Sequence, residues 1–228
     1  MIRFENVHKR YPGGREALSG VTFTLDKGEM AFLTGPSGAG KSTLLKLIAL
    51  IERPTRGTVL VNNQNTARVP RRKIPYFRQR IGVVFQDHKL LYDRSVFDNV
   101  ALPLVIAGMK PRDIGKRARA ALDQVGLLDR EQHAPLTLST GEQQRVGIAR
   151  AVASRPDVVI ADEPTGNLDP DLSLEIMRLF ERFNNVGVTL LIATHDLELV
   201  ENLAHRRLRL VGGQIVQDSR QTPPGRVA

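Results

Sequence analysis

The chain has 228 residues, a length that suits one compact domain with room for an inserted subdomain. Its apolar fraction of 41% and charged fraction of 25% are ordinary for a globular protein, and they exclude disordered, collagen-like and fibrous classes. The chain has no cysteine, which excludes disulfides and thiolate metal sites, and its net charge of +9 suits an anionic partner or solvated basic faces.

The sequence contains no stretch that resembles a membrane span. Residues 1–7 include acidic and polar side chains where a signal peptide needs an unbroken apolar run. The longest nearly apolar run, 100–109, is about half as long as a bilayer-crossing helix and contains Pro103. We therefore expect a chain that stays in the cytoplasm and does not cross a membrane by itself.

Basic residues form three clusters, at 68–80, 112–119 and 206–209. Such runs are most often solvated faces of a domain, but they also suit nucleic acid, anionic lipid or nucleotide. The sequence leaves these readings open.

Residues 21–54 predict strands followed by a loop and a helix. Apolar residues alternate at Val21, Phe23 and Leu25, and residues 30–34 predict a buried strand. A glycine-rich loop comes next, and a largely apolar helix begins near Leu44 and ends by Pro54.

The middle of the chain changes character. Between about residues 87 and 155 strand-like runs are scarce, and helical spacing appears at Ile114, Ala118 and Leu122, closed by Gly126. We expect an inserted helical subdomain here, with the core built from residues 1–86 and 156–220.

Strand patterns return in the last third of the chain. Runs 158–161 and 189–193 suit strands buried on both faces, and the helix between them carries Leu172, Ile176 and Leu179 on one side. Alternating strands and helices predict an α/β fold with right-handed crossovers. Residues 212–213 predict a hairpin turn, and residues 221–228 a loose tail.

The glycine-rich loop fits the P-loop pattern G-x-x-x-x-G-K-[ST], which binds phosphate, and it lies between a strand and a helix, as that pattern requires. Its residues are Gly35, Pro36, Ser37, Gly38, Ala39, Gly40, Lys41, Ser42 and Thr43. Backbone N–H groups at a helix N-terminus attract phosphate. We expect Lys41 to bridge the β- and γ-phosphates of ATP, Ser42 to ligate Mg²⁺ and Thr43 to bind the α-phosphate.

Two acids, Asp162 and Glu163, end the strand predicted at 158–161. Ionised carboxylates are costly at the end of a buried strand unless they have a charged partner, and Mg²⁺ is such a partner. Asp162 is therefore our candidate for holding the metal, and Glu163 for activating the attacking water. A strand-end turn with two solvated acids is the alternative.

The segment Leu138-Ser139-Thr140-Gly141-Glu142-Gln143-Gln144-Arg145 resembles the signature of the ABC ATPase superfamily. Thr140 departs from the usual pattern, in which the serine is followed by two glycines. The resemblance implies that Ser139 and Gly141 contact nucleotide. By itself the segment also suits an ordinary helix N-cap.

Three further positions match motifs of the superfamily. The resemblance implies that Tyr11 stacks on adenine, that Gln86 links Mg²⁺ to the helical subdomain, and that His195 faces the γ-phosphate as a catalytic residue beside Lys41 and Glu163. Taken alone, Tyr11 suits strand packing, Gln86 a loop and His195 a cap.

Residues 166–169 match the loop that runs along the dimer seam in this superfamily, although Asp169 followed by Pro170 also reads as a helix start. The other histidines have no metal-ligand spacing, and we interpret them as surface or packing residues: His8, His88, His133 and His205.

The resemblance covers nearly the whole chain and implies one domain over residues 1–228 with the fold of a P-loop NTPase. That fold has a mostly parallel core sheet, an N-terminal antiparallel β portion and an inserted α-helical subdomain. It also implies a head-to-tail homodimer, in which the P-loop of one subunit and the Ser139 segment of the other enclose the same ATP.

Within the superfamily, the chain is most similar to the bacterial cell-division ATPases. The segments that carry this similarity are 30–35, 82–88, 91–94, 98–104 and 186–190. The similarity implies a peripheral protein on the cytoplasmic face of the inner membrane that pairs with the membrane subunit FtsX and signals to cell-wall hydrolases during septation. It also implies association with the division-ring protein FtsZ and a membrane-subunit groove near residues 86–103.

Two other functions remain open from the sequence. An ATPase of a lipoprotein-releasing or macrolide-exporting transporter would carry the same catalytic motifs. A soluble ABC ATPase acting on nucleic acid or ribosomes is disfavoured, because the chain has one cassette, no long coiled coil and no cysteine ligands for zinc. We therefore expect no nucleic-acid partner.

Overall fold

A computed structural model describes residues 1–220, and the predicted tail at 221–228 lies outside the described residues. Its strands are β1 (Ile2–Arg10), β2 (Glu16–Leu25), β3 (Met30–Thr34), β4 (Arg56–Val61), β5 (Gln64–Asn65), β6 (Ile81–Val84), β7 (Val158–Asp162), β8 (Thr189–Ala193), β9 (Arg206–Val211) and β10 (Gln214–Asp218). Its α-helices are α1 (Lys41–Ile48), α2 (Ile74–Arg78), α3 (Val96–Ile106), α4 (Pro111–Gln124), α5 (Thr140–Val152), α6 (Pro170–Asn185) and α7 (Leu197–Glu201).

The strands form two sheets. The N-terminal sheet is antiparallel, in the order β2-β1-β4-β5. The central sheet has the order β10-β9-β3-β8-β7-β6, and all its neighbours are parallel except β10 with β9. The predicted α/β fold with an antiparallel N-terminal portion is therefore confirmed.

The central sheet is covered on both faces, which explains why every residue of β3 and β8 is buried. Phe32 points into a core that contains the apolar faces of α3, α4, α5 and α6. Its neighbours Ala31 and Leu33 point into a second core, made with α1 and the N-terminal sheet. Alternate side chains of one strand thus join the two halves of the molecule.

The three helices α3, α4 and α5 lie between β6 and β7 and pack against one another. Ser95 and Asp98 form a capping box that starts α3, and the left-handed Gly126 follows the end of α4. The helices occupy the region in which the sequence predicted an inserted subdomain.

Helix α1 is shorter than the sequence predicted. It ends at Ile48, well before Pro54, because Leu50 adopts a left-handed conformation with φ of 53°. The N–H of Ile51 then closes the turn by donating to the carbonyl of Lys46 at 2.9 Å.

Across residues 1–220, no helix combines the length and the apolar character that crossing a bilayer requires.

A buried ion-pair network ties the C-terminal hairpin to the strand that precedes the glycine-rich loop. Arg206 donates to both oxygens of Asp218, at 2.8 and 2.7 Å, and to Glu29 at 3.0 Å. The side chains of Arg206 and Asp218 are only 8% and 7% exposed. The first residue of the basic cluster 206–209 is therefore structural and does not belong to a solvated face.

We predict that Asp218→Ala lowers the free energy of unfolding by about 3 kcal/mol at pH 7, because the buried Arg206 then keeps only Glu29 and the carbonyl of Thr24 as partners. The hydrogen bonds from Arg206 hold the pKa of Asp218 below its ordinary value of 3.8. The stabilisation is therefore complete above pH 3.8 and is lost as pH falls through the lowered pKa. Urea unfolding at several pH values measures both effects.

The control is Asp129→Ala, which removes a carboxylate that is 76% exposed beside Arg130. This variant should stay within about 0.5 kcal/mol of the wild type. An equal loss in both variants would contradict the structural role of the buried pair.

Candidate functional site

Four neighbouring parallel strands end at one edge of the central sheet, where ligands bind in open α/β folds. The P-loop follows β3, Gln86 lies two residues after β6, Glu163 directly follows β7, and His195 lies two residues after β8. The sheet topology therefore brings together four segments that are far apart in sequence.

These segments surround an open cavity of about 760 Å³. It is lined by Tyr11, Pro12, Arg15, Ala17, Ser37, Gly38, Ala39, Gly40, Lys41, Ser42, Thr43, Lys46, Gln86, Glu163 and His195. Most of the predicted site residues thus share one cavity. Gly35, Pro36, Asp162, Ser139 and Gly141 do not line it.

The P-loop needs glycine at two positions, where it passes close to neighbouring backbone. Gly35 has φ of 146°, and a Cβ there would lie 2.0 Å from the carbonyl oxygen of Leu210. Gly40 has φ of 110°, and a Cβ there would lie 2.4 Å from the carbonyl oxygen of Ala17. Any side chain at these positions would push the loop away from β9 and β2.

Lys41 places a cation at the centre of the loop. Its side chain is 8% exposed, and its Nζ donates to the carbonyl of Gly35 at 2.8 Å and to that of Pro36 at 3.4 Å. The same Nζ lies 3.4 Å from Oε1 of Glu163. Lys41 therefore joins the loop to the acid that follows β7.

Glu163 divides its two oxygens between two partners. Oε1 faces Lys41, and Oε2 accepts from the backbone N–H of His195 at 3.2 Å and from its ring Nδ1 at 2.7 Å. The carboxylate is 11% exposed, and the backbone of Glu163 is left-handed with φ of 48°. Such a conformation is strained for a glutamate, and it aims the side chain into the cavity.

Asp162 does not line the cavity and lies beside Ser42. Burial raises the pKa of Asp162, and the neighbouring Glu163 adds to the rise, while Ser42 and Lys41 partly offset it. In the described chain, its Oδ1 is buried without a hydrogen-bond partner. An unsatisfied carboxylate oxygen beside a hydroxyl fits a hard cation such as Mg²⁺.

Tyr11 and Gln86 both line the cavity. The Tyr11 hydroxyl is 3.4 Å from Oγ1 of Thr43, and the ring lies under Lys9 Nζ at 4.9 Å. Tyr11 therefore faces the cavity, and it lies just after the end of β1 and not within a strand. A Cβ on Gly166 would lie 4.0 Å from Gln86 Nε2, so the amide reaches the turn after β7.

The Ser139 segment begins α5 away from the cavity. The Ser139 hydroxyl accepts from the N–H of Glu142 at 3.3 Å, and the Glu142 carboxylate accepts from the N–H of Ser139 at 2.8 Å. This capping box lowers the pKa of Glu142. Gly141 packs so closely on Leu172 that a Cβ would lie 2.2 Å from the Leu172 Cδ2 atom. Thr140 is exposed.

The remaining motif residues have local roles. Asp169 accepts from the N–H of Leu172 at 2.9 Å and caps α6, which begins at Pro170. His8, His88, His133 and His205 each contact a polar side chain, namely Glu16, Gln144, Arg130 and Glu181 in that order. Within residues 1–220, no group of three or more His, Asp or Glu side chains could hold a metal ion.

Four cavity residues belong to no motif that the sequence revealed: Pro12, Arg15, Ala17 and Lys46. Lys46 lies four residues after Ser42 on α1, so helical spacing predicts that both share one face. Pro12 and Arg15 lie in the turn between β1 and β2, and Ala17 lies at the start of β2, so sequence spacing offers no guide to their place in the cavity.

Comparison with known proteins agrees with this geometry. The family model described as ABC transporter matches residues 18–166. The chain is 59% identical over 215 residues to the cell division ATP-binding protein FtsE of Escherichia coli K12. The matched residues make up 94% of this chain and 97% of that protein. It is 48% identical over 218 residues to FtsE of Bacillus subtilis 168, and the matched residues make up 96% of each chain.

Solved structures show the same fold. A dimeric post-hydrolysis state of the ATP-binding cassette MJ0796, bound to ADP and Pi, superposes with a TM-score of 0.88 and 34% identity over 96% of this chain and 98% of that chain. A structure of cbiO1 from Clostridium perfringens, part of the ABC transporter complex cbiONQ, has a TM-score of 0.87 and 32% identity over 95% and 87% of the two chains.

The predicted family is confirmed by a model that covers well over half of the chain and by relatives that match nearly all of it. The chain belongs to the ABC transporter family as an ATP-binding and ATP-hydrolysing subunit, and within that family to the FtsE group of cell division ATP-binding proteins.

Proposed function

We propose that this chain is the motor of a cell-division complex: an ATPase that works as a head-to-tail homodimer with an FtsX-like membrane subunit on the cytoplasmic face of the inner membrane. Closure of the dimer on ATP would drive a movement that activates septal cell-wall hydrolases, and the division-ring protein FtsZ is a second proposed partner. The observation that carries this proposal is the 59% identity to FtsE, because it extends over nearly the full length of both chains.

The contacts of Lys41 and Glu163 support a simple order of events. When Lys41 binds the β- and γ-phosphates of ATP, Glu163 loses its cation partner and keeps only His195. The freed Oε1 can then accept a proton from the attacking water, with His195 holding the other carboxylate oxygen in place. Ser42, Gln86 and Asp162 would hold Mg²⁺, which supplies charge neutralisation at the phosphates.

The position of Ser139 and Gly141 supports a composite site. Neither residue lines the cavity of its own chain, and the N-terminus of α5, at Ser139 and Thr140, is exposed. Backbone N–H groups at such a terminus suit the γ-phosphate of an ATP held by a second copy. The dimeric MJ0796 cassettes, at 34% and 35% identity, make this arrangement our preferred one.

A second cavity, of about 560 Å³, supports attachment to a membrane subunit. It lies between the core and α3, and its mostly apolar walls include Ile51, Val83, Phe85, Leu102, Pro103 and Ile106. Ile106 is 63% exposed, and Arg78 and Arg150 contribute positive charge to the walls. A short amphipathic helix with acidic flanks would fit this groove.

Affinity capture from detergent-solubilised membranes tests the partner. We expect the wild-type chain to recover an FtsX-like subunit, and Ile106→Asp to lose it, because a charge in the groove removes the apolar contact. Val186→Asp is the matched control, since Val186 is 79% exposed outside the groove. Recovery of a lipoprotein-release or macrolide-export permease instead would overturn the division role.

We predict that Glu163→Gln binds ATP but hydrolyses it about 10²- to 10⁴-fold more slowly, because the amide cannot take the proton from water. The stalled protein should elute as an ATP-dependent dimer in size-exclusion chromatography. Glu198→Gln, which changes an exposed acid on α7, should keep normal turnover. Near-normal turnover in Glu163→Gln would remove this residue from the catalytic role.

We predict that Thr140→Gly raises ATP turnover severalfold, because it removes an exposed side chain from the start of α5, where the proposed partner's γ-phosphate must approach backbone N–H groups. Steady-state phosphate release as a function of protein concentration measures the effect. Thr137→Gly, at an exposed position before the segment, is the control. Unchanged turnover in Thr140→Gly would mean that the threonine does not restrain the site.

A further inference from the structure

The turn between β1 and β2 holds two side chains over the P-loop cavity. The N–H of Tyr11 donates to the carbonyl of Arg15 at 2.9 Å, and the N–H of Gly14 donates to that of Tyr11 at 3.1 Å. Arg10 Nε adds a bond to the carbonyl of Gly14 at 3.1 Å. These contacts use only the backbone of Arg15, so its side chain is free for another role.

The two ends of this turn lie over different parts of the P-loop. At one end the Tyr11 hydroxyl is 3.4 Å from Thr43 Oγ1. At the other end the Arg15 guanidinium lies beside Gly38, where a built Cβ would be 3.7 Å from Nη2. A nucleotide whose base reaches Tyr11 and whose phosphates fill the loop must pass between these ends.

Arg15 is an unpaired cation in this setting. It is exposed, it lines the cavity, and within residues 1–220 its guanidinium makes no hydrogen bond or ion pair. Lys41, in contrast, is buried, and its Nζ donates to the carbonyls of Gly35 and Pro36 and forms an ion pair with Glu163. An arginine without a partner beside a phosphate-binding backbone is suited to phosphate, because its planar donors pair with two oxygens at once.

We propose that Arg15 is a nucleotide-binding residue whose guanidinium contacts the phosphate chain at the Gly38 end of the loop. This inference rests on the ATP site described above and adds a residue outside its motifs. Because no hydrogen bond or ion pair joins Arg15 to Glu163 or His195 within residues 1–220, we expect it to strengthen binding of ATP and ADP alike and to leave the chemical step unchanged.

The test compares Arg15→Ala with the matched control Arg3→Ala, which removes an arginine on β1 that pairs with the exposed Glu5. We expect Arg15→Ala to bind ATP and ADP about five- to tenfold more weakly in isothermal titration, with kcat at saturating ATP within twofold of the wild type. Arg15→Lys should recover part of the affinity. The dependence of Kd on salt should be shallower in Arg15→Ala.

Equal Kd values for Arg15→Ala and Arg3→Ala would overturn the proposal. So would a lower melting temperature of Arg15→Ala without nucleotide, because it would mean that the side chain holds the turn. Lys41→Ala separates this failure from failure of the site: if Lys41→Ala alone loses nucleotide, the ATP site stands and Arg15 is excluded. If neither variant changes binding, the cavity itself is not the nucleotide site.

Discussion

The parallel pairing of β3, β8, β7 and β6 fixes where the site residues lie relative to one another. Leu33 of β3 pairs with Ala193 of β8, Ala193 pairs with Asp162 of β7, and Ala161 pairs with Val84 of β6. The strand ends are therefore level, and the residues just beyond them meet around one cavity. A shift of one residue in any pair would turn its side chains to the opposite face of the sheet and would move a site residue out of reach.

The charges of the site are arranged so that each carboxylate has a separate environment. Glu163 turns into the cavity through a left-handed backbone and meets Lys41 and His195, whereas Asp162 stays behind Ser42 with one oxygen unsatisfied. Glu163 still contributes to the raised pKa of Asp162, but the two carboxylates have different partners. This difference is what allows one acid to suit a metal and the other to suit proton transfer.

The cavity belongs to one chain, but the signature segment does not reach it. Ser139 is engaged with Glu142 in a capping box, and Gly141 is pressed against Leu172, so the local contacts explain this segment as the start of a helix. Ser139 and Thr140 are exposed, so the start of α5 is accessible to a second copy of the chain. A second copy placed head to tail would contact this helix start, and this reasoning is why the proposed motor is a dimer.

Much of the fold and the outline of the site could be predicted from sequence, because they depend on local patterns. Alternating and continuous apolar runs predict the buried strands, and the segment from Gly35 to Thr43 predicts the P-loop. Both patterns are complete within a few consecutive residues. The acids at the end of β7 were identifiable for the same reason. The end of α1 was misplaced, because the left-handed Leu50 breaks the helix without a glycine or proline to mark it.

Only the tertiary structure shows which side chains that are far apart in sequence lie close together. The pairing of Lys41 with Glu163, the position of Asp162 behind Ser42 and the entry of Arg15 into the cavity depend on strand register and on a turn closed by its own backbone. Sequence spacing carries no information on such contacts, because they join segments whose separation along the chain does not limit their distance in space. Local patterns in the sequence therefore predict the chemistry of the site, whereas the pairing of its charges depends on the register of the sheet.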